Sequence, residues 1–161
     1  MDKIVTLAER TTEDRLSGVE CKLLEAHAIA AFWPAITTAL NSLPQLLLND
    51  TPESFYKKAM ETRVQVWIVG KPPKPEMVIF TQVAIHPKRR VLEVTCCFGD
   101  VGTTESVGPA VDAALDEFAR EQDCSSIEIF GRPGWVRVLA PWGFSLESVV
   151  LSRPVTDRSM N

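Results

Sequence analysis

The sequence predicts an α/β (α+β) domain built on a mixed central sheet, and three observations carry that prediction. An apolar strand at residues 91–98 is followed by a loop with glycines and hydroxyls. An amphipathic helix from Pro109 to about Gln122 comes next, then a second strand at 126–130. Strand, loop, helix, strand is the order of a parallel crossover, because parallel neighbours need a long connection between them. Upstream, residues 63–70, 77–85 and 91–98 are strand-like segments joined by short turns, which predicts an antiparallel meander. Downstream, residues 146–155 (Leu146, Val149, Val150, Leu151) predict a closing strand or hairpin. The whole length of 161 residues reads as one domain.

The elements follow in order. Ile4, Val5 and Leu7 predict a short first strand at 3–8, and the charged stretch 9–18 a connection. Cys21, Leu24, Ala28, Ala31 and Phe32 recur near one helical face, which predicts a helix over 20–33. Pro34 lacks a donor and is expected to kink or end that helix, with 35–43 a second segment. His27, among Ala26, Ala28 and Ile29, reads as a packed histidine. Asp50-Thr51-Pro52-Glu53 starts a helix: Thr51 or Asp50 caps, Pro52 suits the first position, and Glu53 favours the positive end of the dipole. It runs to about Thr62 with Phe55 and Ala59 inward. Val64, Val66 and Ile68 alternate with Gln65, Trp67 and Val69, a strand pattern in which Trp67 is placed on an open sheet face. Three prolines in Lys71-Pro72-Pro73-Lys74-Pro75 exclude a central strand and mark a hairpin turn. Gly108-Pro109 marks the start of the crossover helix. Its apolar stripe is Ala110, Val111, Ala114, Leu115 and Phe118, and Asp116 and Arg120 are four residues apart. A short helical segment at 135–140 is bounded by Gly131-Arg132-Pro133-Gly134 and Pro141-Trp142-Gly143-Phe144.

Composition narrows the function classes. Apolar residues make up 45% and charged residues 24%, ordinary for a globular protein that needs neither disulfide nor metal to fold. A net charge of −4 argues against non-specific nucleic-acid binding, which needs clustered positive charge. Cys21, Cys96, Cys97 and Cys124 form no CxxC pair and have only His27 and His86 for company, so they read as buried thiols of a reducing cytosol. Residues 26–48 carry no charged side chain, but Pro34, Pro44 and scattered polar groups suit a buried, broken helix better than a membrane span.

The element order over nearly the whole chain resembles that of the GNAT (Gcn5-related N-acetyltransferase) family. The match is best over Gly131-Arg132-Pro133-Gly134-Trp135-Val136-Arg137-Val138-Leu139-Ala140-Pro141-Trp142-Gly143-Phe144, which looks like that family's last helix and closing Gly-Phe. More narrowly, Gly-Arg-x-Gly-Trp with Val-Leu and Gly-Phe behind it resembles small GNAT-like proteins of tailed phages. The family resemblance implies acetyl-CoA or another acyl-CoA as cosubstrate, with the pantetheine arm between the strands at 91–98 and 126–130. Pyrophosphate would lie on backbone N–H groups of the loop before the crossover helix. Gly99, Val101, Gly102, Thr103, Thr104 and Ser106 are the residues so placed. They depart from the family loop, which carries an Arg or Gln and differently spaced glycines, and Asp100 and Glu105 add charge that opposes an anion. Glu93, on the strand where the family often carries its base, is the catalytic candidate; the alternative is a solvent-facing or arginine-paired carboxylate. Val91, Thr95 and Cys97 are expected on its face. The family's proton-donating Tyr corresponds to Leu139, which has no proton to give; Cys97 and Cys124 are improvised replacements. Arg132 and Arg137 suit either a phosphate or ordinary surface pairing.

Two function classes follow. One is a GNAT-fold phage-type protein that is degenerate or non-catalytic, a binding or virion-associated structural component; a phage accessory protein that blocks a host factor is indistinguishable from it in sequence. The other is an acyl-CoA-dependent N-acyltransferase acting on an amine. The incomplete loop, Leu139 and four tryptophans favour the first. A protein partner or homo-oligomer is expected rather than nucleic acid or membrane. The expected place is the cytoplasm, or a host cytoplasm or virion if phage-encoded, and no metal is expected.

Overall fold

A computed structural model describes residues 19–42, 49–71, 75–99 and 103–155. The chain forms two compact units, the first ending at Phe130 and the second beginning at Gly131. The first unit holds a five-stranded sheet in the order β1-β2-β3-β4-β5, with β1 Cys21–Leu23, β2 Gln65–Val69, β3 Met77–Ile85, β4 Arg90–Gly99 and β5 Ser126–Ile129. Pairing is antiparallel from β1 to β4 and parallel between β4 and β5. The meander and the crossover are therefore those the sequence predicts.

Helices α1 (Ala26–Ser42) and α2 (Pro52–Met60) cover one sheet face. Ile29, Ile36, Leu40, Phe55 and Ala59 meet Val66, Ile68, Val78, Phe80 and Cys96 there. Phe80 is fully buried, and Phe55 stands edge-on to it at 5.1 Å. Trp33 touches Tyr56 at 5.0 Å and Phe80 at 6.3 Å, joining both helices to the sheet. Thr51 caps α2: its hydroxyl accepts from the Ser54 N–H while Ser54 reaches back to the Thr51 N–H.

The start of the chain differs from the reading above. The strand expected at 3–8 lies outside the described residues. The edge strand is β1, within the segment read as helix from residue 20. Its pairing Cys21↔Val69 to Leu23↔Trp67 satisfies backbone groups that a short helical turn would also satisfy, so only the neighbouring strand decides. Pro34 does not end α1, which runs through it with the ring on the exposed side and the Thr38 hydroxyl donating to the Pro34 carbonyl. Burial of Ile29 before it and Ile36 and Leu40 after it holds the helix together. His27 is exposed, 3.5 Å from Glu25, and not packed.

The other face is covered by α3 (Thr103–Glu121), through Val107, Val111, Leu115, Phe118 and Ala119. Trp67 is buried here, correcting the open-face expectation. Its ring meets Phe118 at 5.3 Å, and its N–H donates to the fully buried Thr81 hydroxyl at 3.0 Å. β2 is buried on both faces because helices lie on both sides. α3 also begins six residues before the expected Pro109, at Thr103.

The second unit contains α4 (Trp135–Leu139) and a 3₁₀ turn at Ala140–Trp142, closed by Gly143 at φ +83°. No closing strand or hairpin is present among its described residues. Residues 144–155 are irregular, and Val150, Leu151 and Val155 are 83%, 90% and 95% exposed. An apolar run makes a strand only where another strand supplies backbone partners.

Candidate functional site

The site is built where β4 outruns β5. Register pairs run from Val91↔Ser126 to Val94↔Ile129, and the last bond, from the Phe130 N–H to the Val94 carbonyl, has lengthened to 3.3 Å. β4 continues to Gly99 with β3 as its only strand neighbour among the described residues. That leaves five residues of open strand edge, about 16 Å at the usual rise.

A bulge sits just beyond the last β4–β5 pair. Phe80 pairs with Cys96 and Thr81 with Val94, so Thr95 is an extra residue. Its hydroxyl donates to the Phe80 carbonyl at 3.4 Å. The bulge reverses facing: Leu92 and Val94 pack under α3, whereas Cys96 packs under α1 and α2, and Cys97 returns to the α3 side. Glu93 alternates with Leu92 and Val94 and so lies on the α1–α2 side. Cys97 does not share its face, which corrects that expectation. The sequence has no mark for a bulge at Thr95.

Glu93 is half-buried and accepts a 2.6 Å bond from the Gln82 side-chain amide, its cross-strand partner. Directly opposite on β5 stands Glu128, on the same face and bridged to Arg89 at 2.7 Å. Glu93 is thus held by an amide rather than an arginine. Sequence reading missed Gln82 and Glu128; strand register brings them in, and no local pattern announces it.

The loop candidates divide. Val101 and Gly102 lie outside the described residues. Thr103, Thr104 and Ser106 fall in the first turn of α3 rather than in a loop, with Ser106 exposed. The earliest N–H groups of the helix, those of Thr103 and Thr104, have no intrahelical acceptor and suit an anion. Gly99 has a packing role: a Cβ there would lie 2.4 Å from the Glu76 carbonyl oxygen and 3.1 Å from Met77 Cα.

Burial pushes the Cys21 and Cys97 thiols up to about 11. Burial, with the neighbouring Cys97, pushes Cys96 to about 12, and burial raises Cys124 as well. All four are free thiols. Proton donation from Cys97 to a thiolate titrating near 8.5 is uphill, so it makes a poor acid. Leu139 is buried in the second unit, where Arg132 and Arg137 are exposed. No described helix is long and apolar enough to cross a membrane, and no described cluster of His, Cys, Asp and Glu could hold a metal.

A mixed sheet with an antiparallel meander, one parallel crossover and a β4 that outruns β5 is the fold of the GNAT acetyltransferases. Solved structures with this fold superpose over most of the chain. An acetyltransferase of Trypanosoma brucei matches with a TM-score of 0.63 at 12% identity, covering 85% of this chain and 99% of its own. A predicted acetyltransferase from Clostridium acetobutylicum, solved with acetyl-CoA, matches at 0.60 and 14%, covering 84% and 96%. An aminoglycoside acetyltransferase from an uncultured soil metagenomic sample, in complex with sisomicin, matches at 0.63 and 12%, covering 88% and 98%. No family model and no curated protein matches the sequence.

Proposed function

We propose that the chain is an acyl-CoA-dependent N-acyltransferase of the GNAT family that acts on an amine. The carrying observation is the edge of β4 beyond the Thr95 bulge, unpaired among the described strands, with the first turn of α3 beginning four positions after Gly99. An extended thioester arm needs such an edge, because its amides must replace the missing strand's hydrogen bonds. The first turn of α3 supplies N–H donors for the pyrophosphate, from Thr103 and Thr104.

In the reaction the amine nitrogen attacks the thioester carbonyl carbon. The C–N bond forms, the C–S bond breaks, and the electron pair leaves on sulfur. Glu93 accepts the proton the amine sheds, held by Gln82 on its other oxygen. β4 amides beyond the bulge stabilise the developing oxyanion. The missing tyrosine is no obstacle in principle: an alkyl thiol titrates near 8.5, so the thiolate leaves unassisted and takes its proton from water. The acetyltransferases with this fold support this reading, whereas the virion-component reading draws no support from them.

Calorimetric titration with acetyl-CoA tests the proposal. Binding with a Kd of about 1–100 μM is expected. No heat with millimolar ligand overturns it. Glu93→Gln should retain that binding and lose roughly 100-fold or more in transfer rate, the usual scale for a general base.

A further inference from the structure

A recess lies at the end of the sheet in the first unit where β3 extends past the start of β2. It has a volume of about 430 Å³ and is lined by Lys58, Thr62, Arg63, Gln65, Gln82 and Gln122 among others. That volume is in the range of small-ligand sites. The lining contains two cations and three carboxamides but no carboxylate. Lys58 gives one bond to Asp50 at 2.7 Å, and Arg63 gives its Nε and one Nη to Glu61, so both cations keep further donors. Thr62, on the rim, has φ +58°, a strained value for a β-branched residue, and such outliers concentrate at binding sites.

Gln82 connects this recess to the proposed base. Gln82 is one of the residues lining the recess, and its side-chain amide donates to Glu93 at 2.6 Å. Across one strand spacing the surface changes from amides and two cations, each ion-paired on one side, to the carboxylates of Glu93 and of Glu128, the latter bridged to Arg89. Resting on the transferase reading, we infer that the acyl acceptor is a zwitterion. Its amine lies at Glu93, and a carboxylate roughly 5–8 Å away, one strand spacing plus side-chain reach, enters the recess. A dipeptide or an ω-amino acid has that span. A polycationic amine does not fit the chemistry, because its second ammonium would face Lys58 and Arg63.

The test compares 4-aminobutyrate, butylamine and 1,4-diaminobutane, which differ only in the group at the far end. Side-chain amide signals of Gln65, Gln82 and Gln122 in ¹⁵N-labelled protein report binding without any acyl-CoA. 4-Aminobutyrate should move them and bind at least about tenfold tighter than either amine, as a charge-assisted contact allows. Arg63→Gln, at an exposed side chain, should lower the preference for 4-aminobutyrate over butylamine about tenfold in both binding and kcat/KM. Unmoved glutamine signals, or a diamine bound as tightly as 4-aminobutyrate, overturn the inference. If acetyl-CoA does not bind, the transferase reading and the acceptor role fail together, while the amide titration still decides whether the recess takes a carboxylate. If acetyl-CoA binds and the signals stay still, the acceptor assignment fails alone.

Discussion

Replacing Gly99 by alanine separates two reasons for a glycine at the end of β4. In the structure the added methyl would sit 2.4 Å from the Glu76 carbonyl oxygen and 3.2 Å from Met77 Cβ. Ordinary carbon–oxygen contacts need about 3.3 Å or more, so the end of β4 must move away from β3 by close to 1 Å. The atom in the way is backbone, and no side chain can swing aside. Overpacking of this kind costs about 1–3 kcal/mol, against which Gly→Ala recovers about 0.4–1 kcal/mol from the unfolded chain. The net loss is therefore about 0–2.6 kcal/mol with a midpoint near 1.3, which corresponds to roughly 3–5 °C in Tm for a chain of this size. Thermal and urea unfolding read the loss, and acetyl-CoA titration well below Tm reads the ligand. A variant as stable as the wild type that no longer binds acetyl-CoA would refute the packing argument and make Gly99 a ligand-facing residue.

Other expectations test the fold on which the site is built. Thr81→Val strands the buried Trp67 N–H and should lower stability by about 1–3 kcal/mol, while Thr81→Ser keeps the acceptor and should cost less; urea midpoints at constant slope distinguish them. Phe80→Ala should cost about 3–5 kcal/mol by the same measurement, since the ring is fully buried under α1 and α2. The Cys96 thiol has a folded pKa of about 12 against 9.0 for an ordinary cysteine, so its contribution is complete below pH 9 and is lost as pH rises toward 12. Cys96→Ala should accordingly show a shallower fall in stability between pH 9 and 11 than the parent chain; equal slopes would contradict the burial.

The sequence alone determined the elements whose signals are local. Alternation gave β2 and β3, the proline run separated them, Thr51-Pro52 started α2, and the order from β4 through α3 to β5 specified the crossover. Tertiary structure decided whatever depends on a partner distant in the chain. Cys21–Leu23 is a strand because Val69 lies beside it, and α1 passes Pro34 because the sheet beneath holds both halves. The apolar pattern after Phe144 has no strand alongside and stays irregular. In the candidate site, Glu93 was legible as a mid-strand carboxylate, but its neighbours were not. Gln82 and Glu128 reach it only through register, and the extra residue at Thr95 turns Cys97 to the opposite face. Periodicity reports how a segment repeats along itself, whereas register and bulges are set between segments, where backbone hydrogen bonds and side-chain packing choose the alignment.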